Sequence, residues 1–453
     1  MELLPVAEGT SARRRHVALL PYPGRGHINP MLCLARRLAA RGLLITVVLT
    51  EEWLSLLSRP PLPPAVRLRA IPDVVPSERA RGADFASFIQ AVLTRMGGPV
   101  AALLEELDPP PDAIVADAML PWAAAVARRM SVPVAVFFPQ AATVFSALQE
   151  AKTLAALRPQ TDQIGDGDNY FLRYIPRPAS NHLADFITHS NGEGMLQAFI
   201  EGISWFTSAQ YVLFNSFSKL ENRALDKLRS KLSVPFYSIG PLVPDTLADE
   251  DATDNHSCYK WLDSQPKTSV LYVSLSSFLP FSNEEIKEIA VGLRLSRYPF
   301  LWAVRDSMHI QELIGEKGMV VPWCDQARVL CHPSVGGFLT HCGWNSTLEG
   351  VHAGVPMLTF PLMWDQYPNS KLIVDDWQVG LRLKDDDKRD MVGREEVARG
   401  VQRLMDLKAE ESKELRRKVM ELKEKSHATL REKGSSAVNF NVFVDEIMCK
   451  DGN

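Results

Sequence analysis

Apolar and polar positions along this chain fall into blocks, and the blocks repeat. His16-Val-Ala-Leu-Leu-Pro21 is almost continuously apolar, as a parallel strand covered on both faces should be. A turn-rich stretch follows, Tyr22-Pro-Gly-Arg-Gly-His-Ile-Asn-Pro30, and residues 31–41 then carry helical periodicity closed by Gly42. Residues 43–50 read as a second apolar strand, so the chain opens on a strand–helix–strand unit. The alternation continues with strands at 113–117, 132–138 and 211–216 and a helix over 121–130. Residues 158–195, rich in Asp, Gly, Pro and Asn, read as an irregular excursion.

The pattern stops near Ile239-Gly-Pro-Leu-Val-Pro244, and residues 247–256 are acidic and weakly patterned, as linkers are. A second series then begins, with strands at 269–274, 300–304, 335–340 and 356–361 and helices at 284–295 and 345–353. From residue 392 onward the chain reads as charged helix with Lys/Glu alternation, a solvated surface. Two such runs predict an α/β fold with two Rossmann-like, doubly wound parallel-sheet domains facing each other across a cleft. The boundaries expected are 1–243 for the first domain, 244–258 for the linker and 259–453 for the second. Ligands of such sheets bind beyond the carboxyl ends of the strands, where residues 340–349 and Asp365-Gln366 fall.

Composition narrows the partners. At 453 residues, with 46% apolar and 23% charged positions, the chain can bury a large core. A net charge of −4 argues against nucleic acid as the main partner. The six cysteines form no CxxC pair, and Cys324, Cys331, His332, His341 and Cys342 lack the spacing of zinc ligands, so neither metal nor cofactor is expected. Reduced thiols of a cytosolic protein account for them. The N-terminus lacks a secretory pattern. Residues 130–149 are uncharged and long enough to span a bilayer, but Pro133, Pro139 and interspersed polar residues suit a buried strand and turn. The expectation is a soluble, cytoplasmic monomer without an integral membrane span.

The densest chemistry lies in Thr340-His-Cys-Gly-Trp-Asn-Ser-Thr-Leu-Glu349. Ser346 and Glu349 fit a capping box, which leaves His341, Trp344 and Asn345 unexplained. A helix beginning near Asn345 presents unpaired amides and a positive dipole end, a site suited to phosphate. Gly343 lets the backbone approach closely, and His341, Asn345 and Ser346 can donate to a diphosphate. Glu349, one turn on, suits a ribose diol. Upstream, Trp323 offers a face to stack on a base or a ring to pack at a strand end. Downstream, Asp365 serves either as an N-cap or as a partner of hexose hydroxyls.

Residues 323–366 closely resemble the signature box of plant uridine-diphosphate-dependent glycosyltransferases, with HCGWNS, the following Glu, GVP and DQ in order. The resemblance extends to PGRGHINP, GPLVP and YVS, nearly the whole chain, and within the family to its 87A-like subgroup. It implies the GT-B architecture, with an acceptor-binding first domain, a UDP-sugar-binding second domain and a last helix that returns to the first. It also implies UDP-glucose as donor substrate and a small lipophilic acceptor such as a flavonoid, terpenoid, phenolic or hormone. By the same resemblance Trp323 stacks on uracil, Cys324 and Gln326 lie near base or ribose, and Glu349 binds ribose. His341, Gly343, Asn345 and Ser346, with Ser277, surround the diphosphate, while Trp344, Asp365 and Gln366 contact the sugar. Two departures stand out: Cys324-Asp325 replaces the usual Ala-Pro, loosening the turn beside the base, and Ser276-Ser277 replaces Gly-Ser.

His27 follows the first strand at its carboxyl end, and Asp117 ends another strand of the same sheet, so the two can meet. A carboxylate on one ring nitrogen fixes the tautomer while the other nitrogen takes a proton. The family uses its matching His and Asp as base and orienter in an inverting displacement. Two other readings stand beside this one. Gly24-Arg-Gly26 after a strand, with Glu51-Glu52 ending the next, partly fits a nicotinamide dehydrogenase, though Asn29-Pro30 occupies the third small position. A non-catalytic nucleotide-sugar-binding protein on the same fold is the other.

Overall fold

The computed structural model describes residues 13–57, 62–79, 81, 84–157, 204–244, 256–275, 282–304, 310–362, 365–383 and 391–449. Strands β1 (His16–Leu20), β2 (Leu44–Thr50), β3 (Val66–Ile71), β4 (Ala113–Asp117), β5 (Val134–Phe138), β6 (Tyr211–Phe214) and β7 (Phe236–Ser238) form one parallel sheet. Their order is β3-β2-β1-β4-β5-β6-β7. Strands β8 (Val270–Ser274), β9 (Phe300–Ala303), β10 (Gly318–Val321), β11 (Val335–Thr340), β12 (Met357–Thr359) and β13 (Gly380–Arg382) form the second parallel sheet. Its order is β10-β9-β8-β11-β12-β13. Both are doubly wound, as the alternating pattern predicts. The reversal of order falls between β1 and β4 in one sheet and between β8 and β11 in the other. Those are the two places where a doubly wound sheet opens a crevice for ligands.

The helices that bear on the site are α1 (Arg25–Ala40), α2 (Ala142–Leu157), α3 (Asn222–Lys231), α4 (Gln326–Leu330), α5 (Trp344–Ala353), α6 (Gln366–Lys371) and α7 (Ser435–Cys449). Every residue of β1, β2, β4 and β5 is buried, which explains their unbroken apolar runs. The strands that sequence reasoning passed over, β3, β7, β10 and β13, are the four sheet edges. An edge is covered on fewer sides, and β3 accordingly reads Val-Arg-Leu-Arg-Ala-Ile with its middle partly exposed.

One apolar cluster runs from Ala18 and Phe138 in the first half through Phe217, Leu220 and Trp344 to Tyr272 and Phe338 in the second. The two halves therefore pack on each other continuously near the chain crossing. Helix α7 lies on the first sheet, with Phe440, Phe443, Val444 and Ile447 buried beside Leu213 and Ile239. Asn439 Nδ2 donates to Ser238 O at 3.0 Å. One helical stretch, Phe85–Glu105, is long and apolar enough to cross a membrane by composition. Here it divides at Met96, and Phe88, Val92, Val100 and Leu104 are buried in the core. Residues 130–149 form the end of one helix, β5 and the start of α2.

Candidate active site

Helix α1 begins six residues before the expected Met31, so His27 stands in its first turn and not in a loop. Gly24 is the N-cap and supplies no side-chain cap. A Cβ there would meet Arg81 Nη1 at 2.6 Å, so the end of that side chain would have to move aside. His27 Nδ1 lies 2.8 Å from Asp117 Oδ2. Asp117 is fully buried at the carboxyl end of β4, and its other oxygen accepts from the Met119 amide at 3.0 Å. A carboxylate accepts only, so the shared proton belongs to Nδ1 and Nε2 keeps its lone pair. The His27 side chain is 19% exposed, enough for Nε2 to meet a ligand. Tyr22 packs its ring 4.8 Å from the imidazole, centroid to centroid.

Pro30 lies inside α1. Lacking an N–H, it withholds the helix bond that the Gly26 carbonyl would otherwise receive. Asn345 Nδ2, at the tip of α5 in the other half, donates to that carbonyl at 2.7 Å. The turn that bears His27 and the second sheet's helix tip are thus in direct contact.

The α5 tip is built by a tight turn after β11. Cys342 takes a left-handed φ of 66° and its amide bonds Thr340 Oγ1 at 3.1 Å. Gly343 is the N-cap, again without a side-chain bond. A Cβ on Gly343 would sit 2.5 Å from His341 Nε2. The expected capping box at Ser346 and Glu349 does not form, because the helix starts at Trp344 and places Ser346 inside it. Both side chains instead accept from Gln326 Nε2 at 2.8 and 2.7 Å. The first amides of α5 are left open. Burial pushes Glu349 up to about 7, against the lowering effect of the Gln326 bond. Burial pulls His341 down to about 4, while Ser274 O, 3.4 Å from Nδ1, acts the other way.

Around this tip the expected residues take distinct positions. Trp323 is 46% exposed, unusually open for an indole. Cys324 is buried with Sγ 3.4 Å from the Tyr272 hydroxyl, which also reaches Gln326 Oε1 at 3.3 Å. The turn beside it is not loosened: Asp325 caps α4 by accepting from the Arg328 amide at 3.1 Å, fixing by a hydrogen bond what proline would fix by its ring. The Trp344 indole, expected against sugar, is buried, and its Nε1 donates to Asn215 O at 2.7 Å. Its backbone amide is what remains at the tip. Asp365 does not cap α6; its carboxylate accepts from Asn369 Nδ2 at 3.0 Å. Burial pushes Asp365 up to about 6, with the Asn369 bond and the nearby His27 side chain acting the other way. Gln366 is buried beside it and accepts from the Leu362 amide at 2.8 Å.

Ser276, Ser277, Trp364 and residues 158–195 lie outside the described residues. Sequence reasoning missed Asn215, Asn369 and Trp377. Asn215 ends an apolar strand, so the positional rule that singled out Asp117 applies to it equally. Among the described residues no three His, Cys, Asp or Glu side chains gather as metal ligands.

The chain as a whole is similar to known proteins. A family profile described as UDP-glucoronosyl and UDP-glucosyl transferase matches residues 229–408. UDP-glycosyltransferase 87A2 of Arabidopsis thaliana is 41% identical, over 96% of this chain and 97% of its own length. Os79 of O. sativa in complex with UDP superposes with a TM-score of 0.81 at 31% identity, covering 95% of this chain and all of Os79. UGT2 of Phytolacca americana, complexed with UDP-2fluoro-glucose and pterostilbene, gives a TM-score of 0.79 at 27% identity, over 96% and 99% of the two chains.

Proposed function

We propose, from the premise that this chain belongs to the UDP-glycosyltransferase family, that it moves glucose from UDP-glucose to a hydroxyl or carboxyl of a small lipophilic acceptor. The observation that carries the reading is His27, bonded to a buried Asp117 and standing beside the open tip of α5. His27 Nε2 takes the acceptor proton as the acceptor oxygen attacks the anomeric carbon from the face opposite UDP. The anomeric C–O bond breaks, and the electron pair leaves with UDP. Asp117 holds the tautomer and stabilises the imidazolium. The open amides of α5 and its positive dipole end stabilise the charge on the departing diphosphate.

On this reading Trp323 stacks on uracil, Cys324 and Gln326 flank base and ribose, and Glu349 accepts from the ribose hydroxyls. His341, Gly343, Asn345 and Ser346, with Ser277, surround the diphosphate; Asp365 and Gln366 hold the hexose. A neutral His341 with Nδ1–H toward Ser274 O presents only a lone pair at Nε2, so donation to the diphosphate anion requires that nitrogen to take a proton from solvent as the anion binds. Gln140 to Ser146, at the carboxyl edge of β5, wall the acceptor; the excursion at 158–195, assigned to the same pocket from sequence, lies outside the described residues. The division into residues 1–243 and 259–453, a cytoplasmic location and a monomeric state complete the proposal.

The test is purified protein with UDP-glucose and a mixed panel of lipophilic acceptors, read by mass gain. His27→Ala should lower turnover by roughly 10²–10⁴-fold while UDP binding, followed by calorimetry, persists. Transfer at the wild-type rate removes His27 from the role. Mass gain from no acceptor, with UDP-glucose still bound, leaves only nucleotide-sugar binding.

A further inference from the structure

Residues 215–221, between β6 and α3, are held from two sides. From the second half, Trp344 Nε1 donates to Asn215 O at 2.7 Å and Trp377 Nε1 donates to Leu220 O at 3.1 Å. From the first half, the contact is made by Glu221, which is 4% exposed. Its Oε1 accepts from the Thr143 amide at 2.8 Å and from Thr143 Oγ1 at 2.7 Å. Its Oε2 accepts from the Ala142 amide at 3.0 Å and from Ser216 Oγ at 2.5 Å.

Ala142 and Thr143 are the first two residues of α2, whose amides have no partner within the helix. Glu221 is not part of α2, yet it supplies both of those acceptors. Four donors converge on one carboxylate, which fills its acceptor capacity. Burial pushes this carboxyl up, and the Ser216 and Thr143 bonds oppose that. Helix α2 starts at the carboxyl end of β5, which pairs with β4 so that Phe137 lies opposite Asp117. The start of α2 is therefore one strand away from the carboxylate that orients His27.

We infer that Glu221 is a positioning residue for the acceptor: it pins the start of α2, the wall of the acceptor pocket, to the same loop on which the α5 tip docks through Trp344. The inference rests on the transferase reading above. Because Glu221 is buried and both its oxygens are taken by Ala142, Thr143 and Ser216, its loss changes where the wall stands and leaves the base and the donor tip intact.

Glu221→Gln keeps the size but turns one acceptor oxygen into an NH₂ facing donors. It should raise the acceptor KM about tenfold, with kcat at saturating acceptor and the Kd for UDP alone both within about twofold of wild type. Glu221→Asp, which keeps the charge, should recover part of that loss. If Glu221→Gln does not fold, Ser216→Ala removes a single donor and should give a two- to threefold rise, roughly, in the same KM. An acceptor KM unchanged in whichever variant is soluble, even with a lowered Tm, overturns the inference. So does a parallel rise in the UDP Kd. The two readings separate cleanly: loss of turnover in His27→Ala beside an unchanged acceptor KM in Glu221→Gln keeps the transferase and discards Glu221, whereas a wild type that transfers nothing discards both.

Discussion

Helices α1 and α5 begin alike and, on the proposed reading, serve opposite ends of one reaction. Each is preceded by a glycine that offers no side-chain cap, while the helix Asn283–Ser296 in the same second half has a complete Ser282/Glu285 capping box. A capped start is finished; an uncapped one leaves amides for something else. At α1 the space is taken by an imidazole with a buried carboxylate behind it. At α5 it is lined by groups held neutral or partly so by burial, His341 among them. On the proposed reading one tip moves a proton and the other receives negative charge.

The largest expected effect breaks the α1 side. Asp117→Asn keeps the shape but can reverse the tautomer of His27, leaving Nε2 protonated. Turnover should fall by about 10²–10⁴-fold with UDP affinity unchanged. A variant with normal rates would show that the carboxylate orients nothing.

A smaller effect tests the contact between the tips. Pro30→Ala returns an N–H to the Gly26 carbonyl, which then competes with Asn345. The helix gains stability, since proline inside a helix is roughly 3 kcal/mol less favourable than alanine. Turnover should nevertheless drop about tenfold as the base loses its register. A higher Tm with undiminished kcat would make the Asn345 bond incidental.

The smallest effect sharpens the α5 side. Glu349 stands at about 7 in the folded protein against 4.5 ordinarily, and Asp365 at about 6 against 3.8. Between those values the folded protein binds more protons than the unfolded one, so stability falls as pH rises. The unliganded protein should lose several degrees of Tm, roughly, between acidic and mildly alkaline buffer. Glu349→Gln should flatten the upper part of that slope. An unchanged slope in the variant would place the buried proton elsewhere.

The second half's site was more legible than the first's. Its groups, Ser277 apart, lie within residues 323–366, in one strand–turn–helix after another, and the resemblance to the family's signature box drew them together. His27 and Asp117 are 90 residues apart, and the rule that ligands sit at strand carboxyl ends joined them, together with the family resemblance. The same rule, applied once more, reaches Asn215. Glu221 escaped because its partners Ala142 and Thr143 lie on another helix start, and no periodicity reports that an amide is unpaired. The capping box was misread for a related reason: the N-cap is Gly343, three residues before Ser346, and the helix starts at Trp344. The missed strands were sheet edges, where a short or alternating sequence suffices.

The chain leaves its first half after residue 244 and returns with α7, which lies on the first sheet. That helix adds a second tie beside the apolar cluster through which the halves already pack. Cutting the chain ahead of Ser435 would bare Leu213 and Ile239 on the first sheet and leave the cluster to hold the halves together.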